Sequence, residues 1–285
     1  KNYDFQIKIF TNTSNGKLDA NKTIEFTQNK FQEERIGKLN DHTKSIVPTL
    51  DIYYSKTLPK NNSIAFNVVG SYFDNEQNTH SAESGSTGFD DMMYINNQKK
   101  TLIGEAIYNH KFTKSNLSFG YRTHLNYLTN KVTNSLSEKL QKENINTQKH
   151  YIYGEVSGEL KSFMYRVSLG GNYDTQLDRE GFHNFTFTPI LMAGYNINES
   201  NSIRLTYHSS TQMPDMLQMS DACILIMNNF YQTGNHNLEN SHLHSWGLSY
   251  DLYLKRLSLS ANLFYDHTNN SLFDSYQYGE NCILF

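Results

Sequence analysis

The chain of 285 residues carries 37 % hydrophobic residues, a formal net charge of −3 and two cysteines. With a mean hydropathy of −0.64 it holds no run of the ~18 apolar residues that a transmembrane helix needs, and its scattered basic residues leave no electrostatic footprint for nucleic acid. Cys223 and Cys282 make neither a disulfide framework nor a metal signature; each stands alone or the two pair with each other.

Strict period-two alternation, the mark of a half-buried strand, begins at once. Tyr3, Phe5, Ile7 and Ile9 alternate with Asp4, Gln6 and Lys8. After a polar link at Thr11–Ala20, Ile24 and Phe26 alternate with Thr23, Glu25 and Thr27. A charged loop is expected from Gln28 to Thr43, then a strand with Ile46, Pro48, Leu50, Ile52 and Tyr54 on one face. The short link 56–61 leads to Ile64, Phe66, Val68, Gly70 and Tyr72. The segment from Phe73 to Gln98, rich in Asn, Ser, Gly and acids, is expected to be an excursion loop. Its Asp90 and Asp91 lack the regular oxygen-ligand spacing of a calcium loop.

Leu102, Gly104, Ala106 and Tyr108 form the next apolar face. A turn at 113–116 brings in Leu117, Phe119, Tyr121, Leu125 and Tyr127 opposite Ser118, Gly120, Arg122, His124 and Asn126. Residues 131–147 are expected to form a solvated loop with room for a helical turn. Ile152, Gly154, Val156 and Leu160 then alternate with Tyr151, Tyr153, Glu155 and Glu159, and Tyr165, Val167, Leu169 and Tyr173 with Arg166, Ser168 and Asn172. Phe185, Phe187, Pro189, Leu191 and Tyr195 share a face, followed after a short link by Ile203, Leu205 and Tyr207 opposite Arg204, Thr206 and His208. The longest loop, Ser209–Ser241, precedes a hairpin. In it Trp246, Leu248, Tyr250, Leu252 and Leu254 are joined through Lys255 and Arg256 to Leu257, Leu259, Ala261, Leu263 and Tyr265. The pattern gives twelve strands.

Connections alternate between short (56–61, 113–116, 161–163, 198–201, 255–256) and long (28–43, 73–98, 131–147, 177–183, 209–241). Short turns on one rim and long loops on the other characterise outer-membrane barrels, whose strands dilute a lipid face with lumen residues one for one. Tyr54, Tyr72, Tyr108, Tyr127, Tyr195, Tyr207 and Tyr265 sit near strand ends, as an interfacial girdle requires. The expected fold is therefore all-β: an antiparallel up-and-down transmembrane β-barrel in the bacterial outer membrane, forming one domain or a barrel fragment over 1–285. Lys1 opens almost directly in strand-like sequence and Phe285 closes an apolar run with Cys282, Ile283 and Leu284, so a fragment is expected.

A stretch over roughly 202–266 carries a resemblance. Arg204, Tyr207, Pro214, Leu217, Gly234, Asn235, Leu238, Glu239 and Ser241 follow in order and lead into the alternating hairpin. Their order and spacing resemble the TonB-dependent receptor barrels, in particular the Bacteroidetes-type outer-membrane β-barrel family. His236 stands where that family has a proline after Gly-Asn, and the glutamate comes early. The resemblance implies a 22-stranded barrel with an N-terminal plug domain and a TonB box, importing a scarce small nutrient with energy from the inner membrane. Its partners would be membrane lipid, the plug domain, the TonB complex and that nutrient. No plug-like domain or box is recognised within the chain, so it would be part of such a barrel. The alternatives are a complete twelve-stranded porin-like or adhesin barrel, and a soluble all-β binding protein built as a sandwich.

Lumen-facing charges are the first candidate site residues: Arg122, His124, Glu155, Arg166, Arg204 and Asp251, positioned to meet a plug or a passing solute, or simply to solvate a polar interior. His242 and His244 lie two apart on one strand face, a spacing that suits a transition metal given a third ligand, and His236 stands close in sequence. The loop Met213–Tyr231 is unusually apolar and is expected to pack inward or to meet a partner. No nucleophile elbow, phosphate loop or paired-carboxylate signature is present; the reading is neither catalytic nor cofactor-dependent.

Overall fold

The structure, a computed structural model, describes residues 2–28, 31–84, 89–134, 140–179, 182–215, 218–222, 224–227, 230–275, 277–278 and 283–284. Among these there is no helix, and the strands in chain order are β1 (Tyr3–Gln28), β2 (Phe31–Leu58), β3 (Asn62–Ser84), β4 (Phe89–Lys111), β5 (Ser115–Asn134), β6 (Gln141–Leu160), β7 (Phe163–Gln176), β8 (His183–Phe187), β9 (Ile190–Asn198), β10 (Asn201–Gln212), β11 (Ile224–Met227), β12 (Phe230–Gln232), β13 (Ser241–Leu254), β14 (Leu257–Asn269), β15 (Gln277–Tyr278) and β16 (Ile283–Leu284). Twelve of them form one antiparallel sheet in the order β1-β2-β3-β4-β5-β6-β7-β9-β10-β13-β14, with β8 also on β7; the remaining four form a small second sheet. Every neighbour along the main path is the next strand in the chain, apart from β8, which lies off the path on β7, and the inserted β11–β12 pair. This is an up-and-down wall, and it is not closed: β1 and β14 each have one free edge among the described residues.

The twelve strands are not the twelve that periodicity marks out. Tyr3–Ile9 and Thr23–Thr27 belong to one strand, β1, because Thr11–Ala20 continues the ladder against β2. In compensation, the alternating run Phe185–Tyr195 is cut into β8 and β9 at Thr188 and Pro189. Both pieces keep the same register on β7, from Thr175↔His183 to Phe163↔Tyr195. Pro189 has no N–H to donate, and β10 follows β9 only as far as His208 opposite Ile190. Above that point β8 leaves β10, and a cleft of about 810 Å³ opens between them, lined in part by Phe185, Phe187, Tyr207 and His242.

Three expected loops are also corrected. Most of Gln28–Thr43 lies in β2, most of Phe73–Gln98 lies in β3 and β4, and 131–134 and 141–147 belong to β5 and β6; 135–139, in the stretch with room for a helical turn, lie outside the described residues. These hairpins run on far past any membrane. β1, with 26 residues, rises roughly 85 Å at about 3.3 Å per residue. β13, with 14 residues, rises roughly 45 Å, which at a tilt of ~45° matches a hydrocarbon core of ~30 Å. The extensions of β1 to β3 stand in water on both faces, so no apolar alternation marks them. Cross-strand polar pairs line them instead: Ser14 Oγ to Ser45 Oγ at 2.7 Å, and Thr79 Oγ1 donating to Asp41 at 2.6 Å. The short rim is as expected. Leu160↔Phe163, Asn198↔Asn201 and Leu254↔Leu257 close two-residue turns, and Lys60, Asn61 and Lys161 take the positive φ such turns favour.

Burial is inverted relative to a water-soluble domain. Among the described residues, six hydrophobic side chains are buried against seventeen polar or charged ones. Large apolar residues of one face are open instead, including Ile152 at 64 %, Leu205 at 55 % and Leu263 at 70 %. On the other face the carboxylates are enclosed, with Glu105 at 19 % and Glu155 at 16 % side-chain exposure. A soluble sandwich would hide the first face and wet the second; lipid outside and an aqueous interior invert this. An arginine placed on the open face at mid-span therefore costs about 2–4 kcal/mol. Val68→Arg is expected to lower unfolding stability in vesicles by that amount, whereas Asn67→Arg, on the inner face opposite Glu105, is expected to change it by well under half as much in a urea titration.

Candidate functional site

All six sequence-predicted lumen residues fall on the enclosed face. Arg122 on β5 sits opposite Glu105 on β4 and donates to its carboxylate through Nη2 at 2.7 Å and Nε at 3.1 Å. Glu155 on β6 reaches diagonally to Arg166 on β7, 2.9 Å away. Asp251 accepts from Ser260 Oγ at 2.6 Å, and Arg204 forms no ion pair among the described residues. His124 stands opposite Ile103 on one side and Lys149 on the other. The inner wall is thus a band of charge in which acid and base alternate from strand to strand.

Between the two ion pairs, Tyr151 and Tyr153 stack with ring centroids 5.4 Å apart. They lie flat because they cover glycines: a Cβ on Gly120 would meet Tyr153 Cε1 at 2.1 Å, and one on Gly170 would meet Tyr151 Oη at 2.4 Å. Two small residues therefore keep two aromatic rings against the wall and out of the lumen.

Above this band the loop between β10 and β13 folds inward. Met219, 2 % exposed, packs with Leu128 and Ile145, while Ala222 joins Ile95 and Val132. These six are the buried hydrophobics named above. Polar contacts pin the same loop to the wall. Glu143 on β6 accepts from Ser220 Oγ and from the Asp221 backbone N–H, the latter at 2.9 Å. The base of the loop is closed by its own glycine: Gly234 N–H donates to Ser220 O at 2.8 Å and Asn235 N–H to Gln218 O at 2.7 Å. Met216, Leu217, Cys223, Cys282 and Phe285 lie outside the described residues.

With the wall and its inward loop in place, a family comparison is decisive: the model described as TonB dependent receptor-like, beta-barrel matches residues 2–282. The chain belongs to the TonB-dependent receptor β-barrel family. Members of this family are receptors and transporters of the bacterial outer membrane rather than enzymes, which places this barrel in that membrane. Its fold is similar to that of the copper transporter OprC, with a TM-score of 0.52, 9 % identity, and coverage of 99 % of this chain and 57 % of that one. It is also similar to the siderophore receptor PirA from Pseudomonas aeruginosa, with a TM-score of 0.51, 12 % identity, and coverage of 99 % and 60 %. P. aeruginosa FpvA bound to heterologous pyoverdines gives a TM-score of 0.52 at 10 % identity, with coverage of 93 % and 42 %. The chain thus spans about three fifths or less of the length of these structures. No curated protein matches the sequence.

Within this receptor barrel two site residues behave differently from their first reading. His242 and His244 lie on the lipid-side face of β13 with Trp246, Tyr207 and Tyr265, not in the lumen. Their ring nitrogens pair with Ser209 Oγ at 2.6 Å and with the Tyr207 hydroxyl at 2.9 Å. Among the described residues no group of three His, Cys, Asp or Glu side chains adjoins a common point. His236 instead pairs with Asp221 at 2.8 Å. The pair thus belongs to an aromatic cluster at the outer rim, where amphipathic rings are favoured.

Other functional-looking residues were not picked out by periodicity. Glu105 and Lys149 are polar partners in weakly marked stretches, and Glu143 lies in an expected loop. Asp174 falls just past the last apolar residue of its strand, Tyr173. It is fully buried, opposite Lys149, and accepts from Asn240 Nδ2 of the inward loop at 2.7 Å.

Glu143→Ala removes two hydrogen bonds to a carboxylate, each worth about 1.5–3 kcal/mol. Amide exchange at Gly234 and Asn235 is expected to accelerate at least ~10-fold, without loss of the main sheet's protection, as read by hydrogen–deuterium exchange with mass spectrometry.

Proposed function

We propose that this chain is the barrel region of a TonB-dependent receptor that captures a small, scarce nutrient at its outer mouth and takes it up with energy relayed by the TonB complex. The observation that carries this reading is the family match over nearly the whole chain, joined to a polar inner wall that holds two built ion pairs beneath an inward-packed loop. Neighbours described as a copper transporter, a siderophore receptor and a pyoverdine-bound receptor support capture of a solute over structural or adhesive roles. A 22-stranded wall with a plug domain inside fits the two free edges at β1 and β14, since in lipid every strand edge needs a partner. The ordered residues Arg204, Tyr207, Pro214, Gly234, Asn235 and Leu238 favour the Bacteroidetes-type branch of the family.

Binding and uptake separate cleanly in the test. In cells expressing the intact receptor, loss of TonB or collapse of the inner-membrane proton gradient is expected to abolish accumulation of the nutrient while leaving surface binding intact. Accumulation that persists without TonB would mark a passive pore and overturn the proposal.

A further inference from the structure

The inner wall holds a crevice of about 390 Å³, lined by Arg122, His124, Lys149, Tyr151, Thr188 and Ser209 among others. We infer that this crevice is an anion-binding subsite that takes a carboxylate or phosphate group of the transported solute. The inference rests on the transport reading above and adds the charge class of the ligand.

Two independent observations support it. The first is charge. Lys99, Arg122 and Lys149 all act electrostatically on His124, so three permanent cations and an imidazole converge on one patch of wall. The acids facing them number two. Glu105 is engaged by Arg122 at 2.7 Å, and Asp174, opposite Lys149, is fully buried and tied to Asn240. Lys149 forms no ion pair within 4 Å among the described residues. An unbalanced cationic patch in an enclosed polar surface attracts an anion more strongly than it would in open water, because the local dielectric is lower.

The second is an unmet hydrogen-bonding group. Thr188 is 4 % exposed, and its Oγ1 has no partner. It sits beside the interruption at Pro189 and lines the crevice together with Tyr151. Buried hydroxyls are nearly always satisfied, and a bound oxyanion would accept from this one. The volume falls in the ~300–1,000 Å³ range of small-ligand sites: room for one anionic moiety, too little for a protein segment of any length.

The test uses the intact receptor in detergent at low ionic strength, titrated calorimetrically with citrate, with inorganic phosphate and with the neutral sugar maltose. Citrate or phosphate is expected to bind and maltose not to. Their relative affinities distinguish a carboxylate from a phosphate site. Lys149→Gln and His124→Gln are each expected to weaken anion binding at least ~10-fold, about 1.4 kcal/mol. Lys44→Gln, remote on β2, is expected to leave binding unaltered. Absence of anion binding, or equal binding in the Lys149 and His124 variants, overturns the inference. So does a result in which Lys149→Gln spares anion binding but lowers the thermal midpoint, which would make the crevice a contact for the plug domain. TonB-dependent uptake is measured in parallel: if uptake persists while anion binding fails, only the subsite falls, and if uptake proves independent of TonB, the transport reading itself falls.

Discussion

The backbone hydrogen-bond ladder is the constraint on which everything else depends. A peptide group facing hydrocarbon has no water to turn to, and each unmet N–H or C=O costs several kcal/mol there. The chain meets this constraint with antiparallel pairing that runs from β1 to β14, with a single register irregularity, between Asn201 and Ser202 on the β10–β9 ladder. Even the interruption at Pro189 is closed, since Thr188 N–H still donates to Gly170 O at 2.8 Å and Pro189 O still accepts from Ser209 at 3.0 Å. Once the backbone is spent on the ladder, side chains alone decide which face meets lipid, and the period of two assigns them without ambiguity.

That assignment has a functional corollary. Residues that look exposed in a soluble protein are here the solvent-matched ones, facing acyl chains, while the enclosed residues are charged. The ion pairs Glu105–Arg122 and Glu155–Arg166 are worth little as stability, about 0–1 kcal/mol each at this exposure. Their role is to fix the positions of side chains along the wall. Tyr151 and Tyr153, flattened over glycines, keep that wall clear, and the inward loop takes part in both clusters of buried hydrophobic residues among the described residues. Stability therefore resides in the sheet, and the surface that a solute touches is polar, pre-positioned and partly covered.

The sequence carried the membrane part of this architecture openly and the rest hardly at all. Leu248 and Ser249, or Val156 and Glu155, announce their faces because one meets lipid and the other water. The tall extensions of β4 to β6 meet the inward loop on one side, and those of β1 to β3 meet water on both. Asp41, Thr79 and Gln77 form strands there because partners across the sheet hold them, and no local pattern records that. The same applies to the site. Arg122 and His124 were visible as inner-face residues, yet their neighbours Glu105 and Lys149 emerge only from register, which depends on residues 17 to 25 positions away. The apolar loop stood out by composition around Met219, but the wall it packs on did not. His242 and His244 were visible as a pair on one strand face, but not as members of the aromatic cluster at the rim, which forms across three strands.

The central claim is that the apolar face of this wall meets lipid, and the single tryptophan of the chain reports on it. Trp246 lies on that face, within the aromatic cluster at the outer rim. In an intact receptor whose other tryptophans have been replaced, reconstituted into vesicles of brominated lipids, its fluorescence is expected to be quenched strongly, most by bromines placed near the headgroups, and to resist aqueous iodide. Quenching by iodide with none by brominated lipid would place Trp246 in water and contradict the account.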